Sequence, residues 1–391
     1  MAGPLNGLKV LDLSRILAGP WSTQVLADYG AEVWKIERPS QGDDTRHWGP
    51  PYVKDSSGQD SEQSAYFISA NRGKKSIVVD ITSPDGQAVI KKLVKEADIL
   101  VENFKVDGLK KYGFDYQSLV QLKPDLIYCS ITGFGQTGPY AKKAGYDAMI
   151  QAMGGLMSIT GEKDELPGGG PQKVGVAVVD LMTGMYAVSA ILAALHHKNQ
   201  TGIGQHIDLS LLDTQVAWLA NQASNFLVSG EVPKRLGTAH PNIVPYQSMK
   251  AKDGYLLLAV GNDGQFQKCC QVLGCKDVAF EPRFSTNAQR VKNRNELIVL
   301  LETLFLKQDV DYWLNELSRV NVPCGPINTL DKVFDNEQVN YRQMSFNLTH
   351  PEVGNIPQVA NPVKFSQTPI EYKNPPPTLG QHTKEILEQL K

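Results

Sequence analysis

The alternation of apolar strand patterns with helix patterns over the first half of the chain constrains the fold most. Continuous apolar runs such as ILV and LIYCSI are typical of strands that are covered on both faces. Between strands, Ser83 is suited to cap a helix, Pro84 suits its first position, and apolar residues then recur at helical spacing. This order predicts an α/β fold with a Rossmann-like, doubly wound parallel sheet. The predicted strands include LKVLDLS, AEVWKIE, KSIVVDI, ADILVEN, PDLIYCSIT and QHIDLSLL.

A change of pattern near residue 230 indicates a second domain. The 391 residues exceed what one ordinary core accommodates. After a predicted helix, DTQVAWLANQASNFLVS, comes the proline-punctuated loop GTAHPNIVPYQSM, and then the strand DGYLLLAV and further helices. VPCGPINTLDKV resumes the first pattern. We therefore predict a discontinuous large domain, residues 1–225 and 328–391, and a smaller α+β domain, residues 226–327.

Charge and apolar length argue against two classes of partner. With 39 Lys and Arg against 41 Asp and Glu, the chain has no overall basic field, and we expect no nucleic-acid partner. The longest apolar candidate, MYAVSAILAALHH, is shorter than the ~18–20 residues that span a bilayer, which favours a buried helix and no membrane partner.

Cysteine usage and the first residues bear on metal sites and compartment. The five cysteines are odd in number and lack paired metal-ligand spacing, so reduced thiols and no metal site are expected. A strand pattern follows Met1 closely, without a leader pattern, which favours a cytoplasmic protein. The alternative is the mitochondrial matrix after removal of a leader. The cysteines are Cys129, Cys269, Cys270, Cys275 and Cys324.

The segment GFGQTG at 133–138 matches G-x-G-x-x-G, the pattern of dinucleotide-binding turns. It does not follow the first strand, Pro139 interrupts a helix, and no acidic residue ends a next strand at the usual distance. We therefore expect no NAD site, and interpret the segment as a backbone turn near a ligand.

Several cations flank predicted strands. Arg38 follows AEVWKIE, Lys105 follows ADILVEN, and Arg72, Lys74 and Lys75 surround the start of KSIVVDI. Ligands of open α/β sheets bind beyond the carboxyl ends of the strands, so cations converging there would suit a polyphosphate. The alternative is that these side chains are solvated surface charges.

Asp180 is the one carboxylate in the apolar segment KVGVAVVDLMTGMYA, residues 173–187. Placing a carboxylate in such surroundings is costly unless something holds it there. One interpretation is the N-cap of a helix running from Leu181 to about His197. The other, compatible with the first, is a nucleophile, since a helix N-terminus favours the ionised form and dry surroundings make a carboxylate more reactive.

The combination of motifs along the chain resembles the class III CoA-transferases, also called the CaiB/BaiF family. The resemblance extends from residue 8 to about 388. The segments that carry it are VLDLSRILAGP, GAEVWKIERP, GDDTRHWGPP, ENF, GFGQTGP, KVGVAVVDLMTG, GTAHPNIVPY and PPPTLGQHTKEIL.

This resemblance implies an interlocked, ring-like homodimer and a CoA-transferase with coenzyme A as acyl-CoA co-substrate. Asp180 occupies the family's nucleophile position, which implies aspartyl anhydride and aspartyl-CoA thioester intermediates. AGYDA, GTAHPNIVPYQ and LGQHT are similar to members that use glutarate-type dicarboxylates. The expected exchange is therefore from succinyl-CoA to glutarate or a related dicarboxylate.

The resemblance also carries over further site residues. Gly261 and Gly264, in GNDGQ, match the glycine-rich loop that covers the intermediate, although this chain lacks the glycine run of relatives. For a distal acceptor carboxylate, we expect Arg46 or His240 as partner. The matched CoA contacts are Leu17, Ala18, Arg38, Arg72, Lys74, Lys75, Asn103, Phe104, Lys105 and Lys111, and the matched pocket aromatics are Trp48, Tyr66 and Tyr146.

Two other functions fit parts of the pattern. A 2-methylacyl-CoA racemase of the same superfamily would carry a catalytic His where this chain has Tyr146, and a phenol of pKa near 10 is a poor exchangeable base. A non-catalytic acyl-CoA-binding protein would keep the basic loops and form no covalent adduct.

Overall fold

A computed structural model describes residues 3–55 and 57–390. Its strands are β1 (Lys9–Asp12), β2 (Glu32–Glu37), β3 (Tyr52–Lys54), β4 (Asp60–Ser64), β5 (Lys74–Val78), β6 (Ile99–Glu102), β7 (Ile127–Thr132), β8 (His206–Ser210), β9 (Tyr246–Lys250), β10 (Tyr255–Ala259), β11 (Cys324–Pro326), β12 (Ser345–His350) and β13 (Gly354–Val359).

The helices alternate with these strands in the first half of the chain and dominate the second. They are α1 (Ala18–Asp28), α2 (Ala65–Ser69), α3 (Pro84–Glu96), α4 (Tyr116–Leu122), α5 (Asp147–Met153), α6 (Leu156–Ile159), α7 (Val178–Thr201), α8 (Leu211–Ala217), α9 (Ala220–Ser229), α10 (Asp263–Val272), α11 (Asn287–Lys292), α12 (Arg294–Phe305), α13 (Val310–Arg319), α14 (Leu330–Asp335), α15 (Glu337–Tyr341) and α16 (Thr383–Gln389).

The chain forms two compact units. The large unit comprises the residues up to Gly154, Gly175–Trp218 and the residues from Glu337 onward, and the second unit comprises Gly155–Val174 and Leu219–Asn336. The sequence-based division lies at 225/226 and 327/328 and leaves 155–174 in the large domain. The difference has a local cause at its first boundary. The single helix expected there is broken between α8 and α9, where Ala220 adopts a φ of 43°.

The large unit is built on a six-stranded sheet in the order β5-β2-β1-β6-β7-β8, and each neighbouring pair is parallel. This confirms the predicted parallel α/β sheet. Counted along the chain, the order is that of a doubly wound nucleotide-binding sheet. Its direction of winding reverses between β1 and β6, and a crevice is expected beyond their carboxyl ends.

Both faces of this sheet are covered, as the continuous apolar strands predict. Val10 and Val101 pack with residues of α1 and α7 on one face. Leu11 and Leu100 pack with residues of α3 on the other. Neighbouring residues along a strand point to opposite faces, so both must be apolar in a sheet of this kind.

Helix α3 begins as the sequence indicates. Ser83 Oγ accepts a hydrogen bond from the Gly86 backbone N–H at 3.0 Å, and Pro84 occupies the first turn. The proline lacks only an N–H that would have no partner within the helix.

The second unit has its own core. β9, β10 and β11 form an antiparallel sheet, whose buried Leu256 and Leu258 cluster with Phe266 of α10, Leu301 of α12 and Trp313 of α13.

Helix α7 begins before and ends after the predicted bounds. Among the described residues it is the one helix whose length and apolar composition meet the test for a membrane span, a test that the core helix of a soluble protein also meets. It packs on α1, α5 and β7, and Val188 and Ile191 are buried in the core of the large unit.

Candidate active site

A cleft of about 630 Å³ lies within the large unit. Residues that follow β1, such as Leu17, and residues that follow β6, such as Phe104, line it. The cleft therefore lies at the point where the winding of the sheet reverses, as the strand order predicts.

The segment after β1 is held by side chains of two other loops. Asn103 Oδ1 accepts a hydrogen bond from the Arg15 backbone N–H at 2.9 Å, and Asn103 Nδ2 donates to the Arg15 carbonyl at 2.7 Å. Both oxygens of Asp43 accept from the Ile16 N–H, at 3.3 and 3.2 Å. Ile16 has a φ of 72°, which is a strained conformation for a β-branched residue. These contacts hold the strained turn that presents Leu17 and Ala18 to the cleft.

Asp43 itself is fixed by a buried ion pair. Lys35 Nζ lies 2.8 Å from Asp43 Oδ2, and both side chains are fully buried. Burial opposes ionisation of Asp43, but the Lys35 charge and hydrogen bonds from Lys35 and Thr45 lower its pKa to about 2. The carboxylate therefore remains charged throughout the physiological range and holds the turn.

Asp180 lies in the first turn of α7, three residues after the N-cap position. The N-cap is Ala177, whose methyl group cannot accept a hydrogen bond. The expectation that Asp180 itself is the N-cap is therefore corrected. A carboxylate of α5 accepts hydrogen bonds from the first backbone amides of α7 instead. Asp147 Oδ1 accepts from the N–H of Val179 at 2.8 Å and from that of Asp180 at 3.3 Å.

The surroundings of Asp180 make it an unusually basic carboxylate. Burial, and then the negative charge of Asp147, raise its pKa from 3.8 to about 7. Tyr66 lies close enough for its pKa to respond. Burial and the charges of Asp180 and Asp147 raise the pKa of Tyr66 to about 12, so the phenol remains protonated at neutral pH. Asp180 and Asp147 both line the cleft.

The three expected pocket aromatics differ in their relation to this carboxylate. Tyr146 lines the cleft and is 66% exposed. Trp48 and Tyr66 pack edge to face with ring centroids 5.0 Å apart. Of these two, Tyr66 is within electrostatic reach of Asp180.

The structure brings most of the expected CoA-contact residues to the cleft. Arg38 and Arg15 pair with the same carboxylate, Asp44, and Arg15 also lies over the ring of Phe104. Sequence reasoning missed Arg15 and Asp147, although Arg15 follows the predicted strand LKVLDLS and the rule applied to Arg38 and Lys105 would have found it. The expected residues that line the cleft are Leu17, Ala18, Arg38, Asn103, Phe104, Lys105 and Lys111.

Three expected CoA contacts lie elsewhere. Arg72 is 5% exposed, and its Nε and Nη2 donate to the two oxygens of Asp28 at 2.9 and 2.7 Å. Lys74 is 1% exposed and donates to Asp12 Oδ2 at 3.1 Å and to the Pro20 carbonyl at 2.8 Å. Lys75 pairs with Glu32 and Glu385 on the surface.

The positions of these three cations correct the sequence-based expectation. They surround the start of β5, and in a parallel sheet the ligand crevice lies beyond the other ends of the strands. Burial lowers the pKa of Lys74 to about 8, and the charge of Asp12 opposes the shift. Lys74 therefore belongs to a buried ion pair with Asp12.

The guanidinium of Arg46 also makes structural contacts within the large unit. Its Nε and Nη2 donate to the two oxygens of Glu37 at 2.8 and 2.7 Å, its Nη2 donates to the Pro377 carbonyl, and its guanidinium stacks on Phe67. With 5% exposure, Arg46 is not placed to hold an acceptor carboxylate.

The remaining expected residues belong to the second unit. His240 stacks on Tyr246, and burial followed by the nearby Arg294 charge lowers the His240 pKa. Gly261 donates its N–H to Gln265 Oε1 at 2.7 Å, and Gly264 lies in the first turn of α10. The segment 261–265 leads into α10, whose N-cap is Asn262, and its role as a loop that covers the intermediate stays a prediction.

The GFGQTG segment forms a turn, and two of its backbone N–H groups donate to side chains of the same chain. The Gln136 N–H points to both oxygens of Asp208 at 3.1 Å, and the Gly135 N–H donates to Thr132 Oγ1 at 2.9 Å. Gly133 lines the cleft. Within residues 3–55 and 57–390, no group of three or more His, Cys, Asp or Glu side chains could hold a metal ion.

Comparison with known proteins identifies the family. The model of CoA-transferase family III matches residues 5–383. The chain is 51% identical to succinate–glutarate CoA-transferase of Agrobacterium fabrum, over 99% of this chain and 96% of that protein. It is 45% identical to succinyl-CoA:glutarate CoA-transferase of Homo sapiens, over 99% and 86% of the two chains.

A solved structure extends the likeness to the fold. The crystal structure of a CaiB/BaiF family protein from Brucella suis superimposes with a TM-score of 0.87, at 49% identity and with both chains fully covered. The chain belongs to CoA-transferase family III.

Proposed function

We propose that this enzyme transfers CoA from succinyl-CoA to glutarate, and that Asp180 carries the acyl and CoA groups in turn. The observation that carries the mechanism is a half-buried carboxylate of raised pKa, at the start of a helix and in the cleft of the large unit. Such a carboxylate is a better nucleophile than an ordinary surface aspartate. The named relatives support the choice of substrates.

The first half-reaction charges the enzyme. An Asp180 oxygen attacks the succinyl-CoA thioester carbon, the C–S bond breaks, and CoA leaves as a thiolate, which leaves a succinyl–aspartyl anhydride. The thiolate then attacks the aspartyl carbon of the anhydride. Succinate leaves and a thioester joins Asp180 to CoA. Each step forms and breaks one bond at an acyl carbon, without net oxidation or reduction.

The second half-reaction runs the same steps with the acceptor. A glutarate carboxylate attacks the aspartyl thioester and displaces the thiolate, which then attacks the glutaryl carbon of the new anhydride. Glutaryl-CoA leaves and Asp180 is restored. Exclusion of water matters at each stage, because hydrolysis would lose the thioester energy.

The cations of the cleft are suited to the phosphates of CoA. Arg38, Arg15, Lys105 and Lys111 converge beyond the ends of β1, β2 and β6, where an anionic cofactor-like ligand is expected. Arg38 and Arg15 share one carboxylate, Asp44, so the pair retains a net positive charge.

We also propose that the active form is the interlocked homodimer of the family, located in the cytoplasm. In support, α9 exposes apolar side chains, with Leu227 and Val228 79% and 89% exposed. The molar mass of the protein, measured by light scattering as it elutes from a size-exclusion column, tests this assembly. A single monomeric species at assay concentration would contradict it.

The function is tested by one mass measurement. Enzyme, succinyl-CoA and glutarate should yield glutaryl-CoA and succinate in equal amounts, and Asp180→Asn should abolish the exchange. Oxalate and a branched monocarboxylate in place of glutarate provide the acceptor comparison. Free CoA without glutaryl-CoA would contradict the transfer, and full exchange by Asp180→Asn would contradict the covalent route.

A further inference from the structure

Asp147 makes an unusual set of contacts for the first residue of a short helix. Its Oδ1 accepts from the backbone amides of Val179 and Asp180, and its Oδ2 accepts from Gln151 Nε2 at 2.6 Å. The carboxylate is thereby fixed from two sides, by its own helix and by the start of α7.

This arrangement has two effects on the residue it touches. A cap of the first turn fixes the backbone of Asp180, and so the direction in which its side chain leaves the helix. The cap is also a negative charge placed where the free amides of α7 would otherwise favour an ionised carboxylate. A neutral cap would give the first effect without the second.

We propose that Asp147 is a positioning residue that both orients Asp180 and maintains it as a reactive nucleophile by placing a second negative charge beside it. The inference rests on the proposed covalent function of Asp180. A weakly basic carboxylate attacks a thioester slowly, and a carboxylate of raised basicity attacks faster once it is deprotonated.

Other ionisable groups near α7 have separate roles. Tyr66 lies within electrostatic reach of Asp180, and its raised pKa keeps it protonated at neutral pH. Burial raises the pKa values of Tyr128 and Cys129 on β7 well above neutrality. Asp208 on β8 accepts from Gln136, and burial lowers the pKa of His206. Two further ionisable groups lie on helices that pack against α7: Asp28 of α1, which pairs with Arg72, and Asp213 of α8, which is exposed.

Glu102 requires its own control. Burial raises its pKa to about 7, although hydrogen bonds from Ser130 and the Phe104 amide oppose the shift. Since Asp180 and Glu102 titrate in the same range, a midpoint near pH 7 in the parent enzyme would not identify the group.

The test is the pH dependence of adduct formation in a single turnover. Enzyme in excess is mixed with succinyl-CoA across a pH series, quenched with hydroxylamine, and the hydroxamate at Asp180 is quantified by mass. The variants are Asp147→Asn, which keeps an acceptor oxygen and removes the charge, and Asp147→Glu, which keeps the charge. The controls are Asp213→Asn, a first-turn carboxylate of α8, and Glu102→Gln.

We expect the rate to rise with pH to a plateau, with a midpoint near 7 in the parent enzyme. In Asp147→Asn the midpoint should move to lower pH by about one unit, and the plateau rate should fall. Asp147→Glu should return the midpoint toward that of the parent. Asp213→Asn and Glu102→Gln should leave it in place.

If Asp147→Asn still forms the adduct and the pH midpoint does not move, the proposal is overturned, and Asp147 acts only as a structural cap of α7. If Asp147→Asn does not fold, Asp147→Ser removes the charge with a hydroxyl acceptor in its place, and failure of both to fold would also establish a structural role and overturn it. Absence of adduct in the parent enzyme at every pH would instead contradict the covalent function itself, so the two failures are distinguishable.

Discussion

The side-chain amide of Asn103 and the backbone of Arg15 hydrogen-bond to each other in both directions, at 2.9 and 2.7 Å. One residue follows β6 and the other follows β1, so this pair ties together the two strand ends between which the winding reverses. Because Ile16 next to it is strained, the turn that carries Leu17 and Ala18 depends on such contacts to keep its shape.

Replacing Asn103 by alanine should loosen this turn. Two hydrogen bonds are lost at a half-buried site, so we expect KM for succinyl-CoA to rise about tenfold and stability to fall by about 1–2 kcal/mol. Steady-state kinetics and urea unfolding measure the two effects. Asn340→Ala, at an exposed position of α15, is the matched control. Unchanged KM would contradict the role of Asn103 in the cleft.

Lys74→Met should act on stability rather than on CoA affinity. It leaves Asp12, which is fully buried, without its closest cation, and breaking a buried pair costs about 3–5 kcal/mol. Denaturant unfolding should show that loss, whereas Lys75→Met, at a more exposed pair, should cost less than about 1 kcal/mol. A stable Lys74→Met enzyme with a raised KM for acyl-CoA would show instead that this lysine binds the substrate.

Lys111→Ala should weaken acyl-CoA binding without slowing the chemistry. Lys111 lines the cleft, and its neighbour Lys110 is exposed outside the lining, so Lys110→Ala is a matched loss of charge. We expect about a 3- to 10-fold rise in KM for succinyl-CoA in the first variant, reduced by added salt, and little change in the second. Equal effects of both substitutions would contradict a specific contact.

Asp180→Asn should stabilise the enzyme at alkaline pH while it abolishes activity. The folded-state pKa of about 7 lies above the ordinary value of 3.8, so the folded carboxyl keeps a proton that the unfolded chain loses. Stability contributed by that proton is present at low pH and is lost as pH rises toward 7. The gain for Asp180→Asn over the parent should therefore grow by about 3–4 kcal/mol between about pH 4 and pH 8.

The comparison is made by chemical unfolding at the two pH values. Glu102 is present in both proteins, so its own titration cancels in the difference. A gain that does not change with pH would mean that Asp180 is ionised in the folded enzyme at lower pH than its surroundings indicate.

Much of the fold follows from local sequence. Residues 10–11 and 99–101 are apolar at consecutive positions because both faces of the sheet are covered, and this is a short-range signal. Ser83 and Pro84 mark the start of α3 in the same local way. The break between α8 and α9 carried no such signal, and it shifted a domain boundary.

The site residues likewise divide into those with a local sequence signal and those whose contacts are distant in sequence. Asp180 stood out because its neighbours in sequence are apolar, and Lys105 because it follows a strand. The sequence could not show that Arg72 and Arg46 form buried ion pairs with Asp28 and Glu37, because packing brings these partners together from separate parts of the chain. Asp147 was missed for the same reason, since its contact with α7 spans 33 positions to Asp180.

The central claim is that Asp180 becomes covalently attached to CoA during turnover. The most direct measurement is peptide mass spectrometry of enzyme quenched during reaction with succinyl-CoA, with and without hydroxylamine. The account predicts that the peptide 174–198, released by cleavage after lysine, carries CoA at Asp180 and becomes a hydroxamate on hydroxylamine treatment. Continued turnover with this peptide always unmodified would contradict the account.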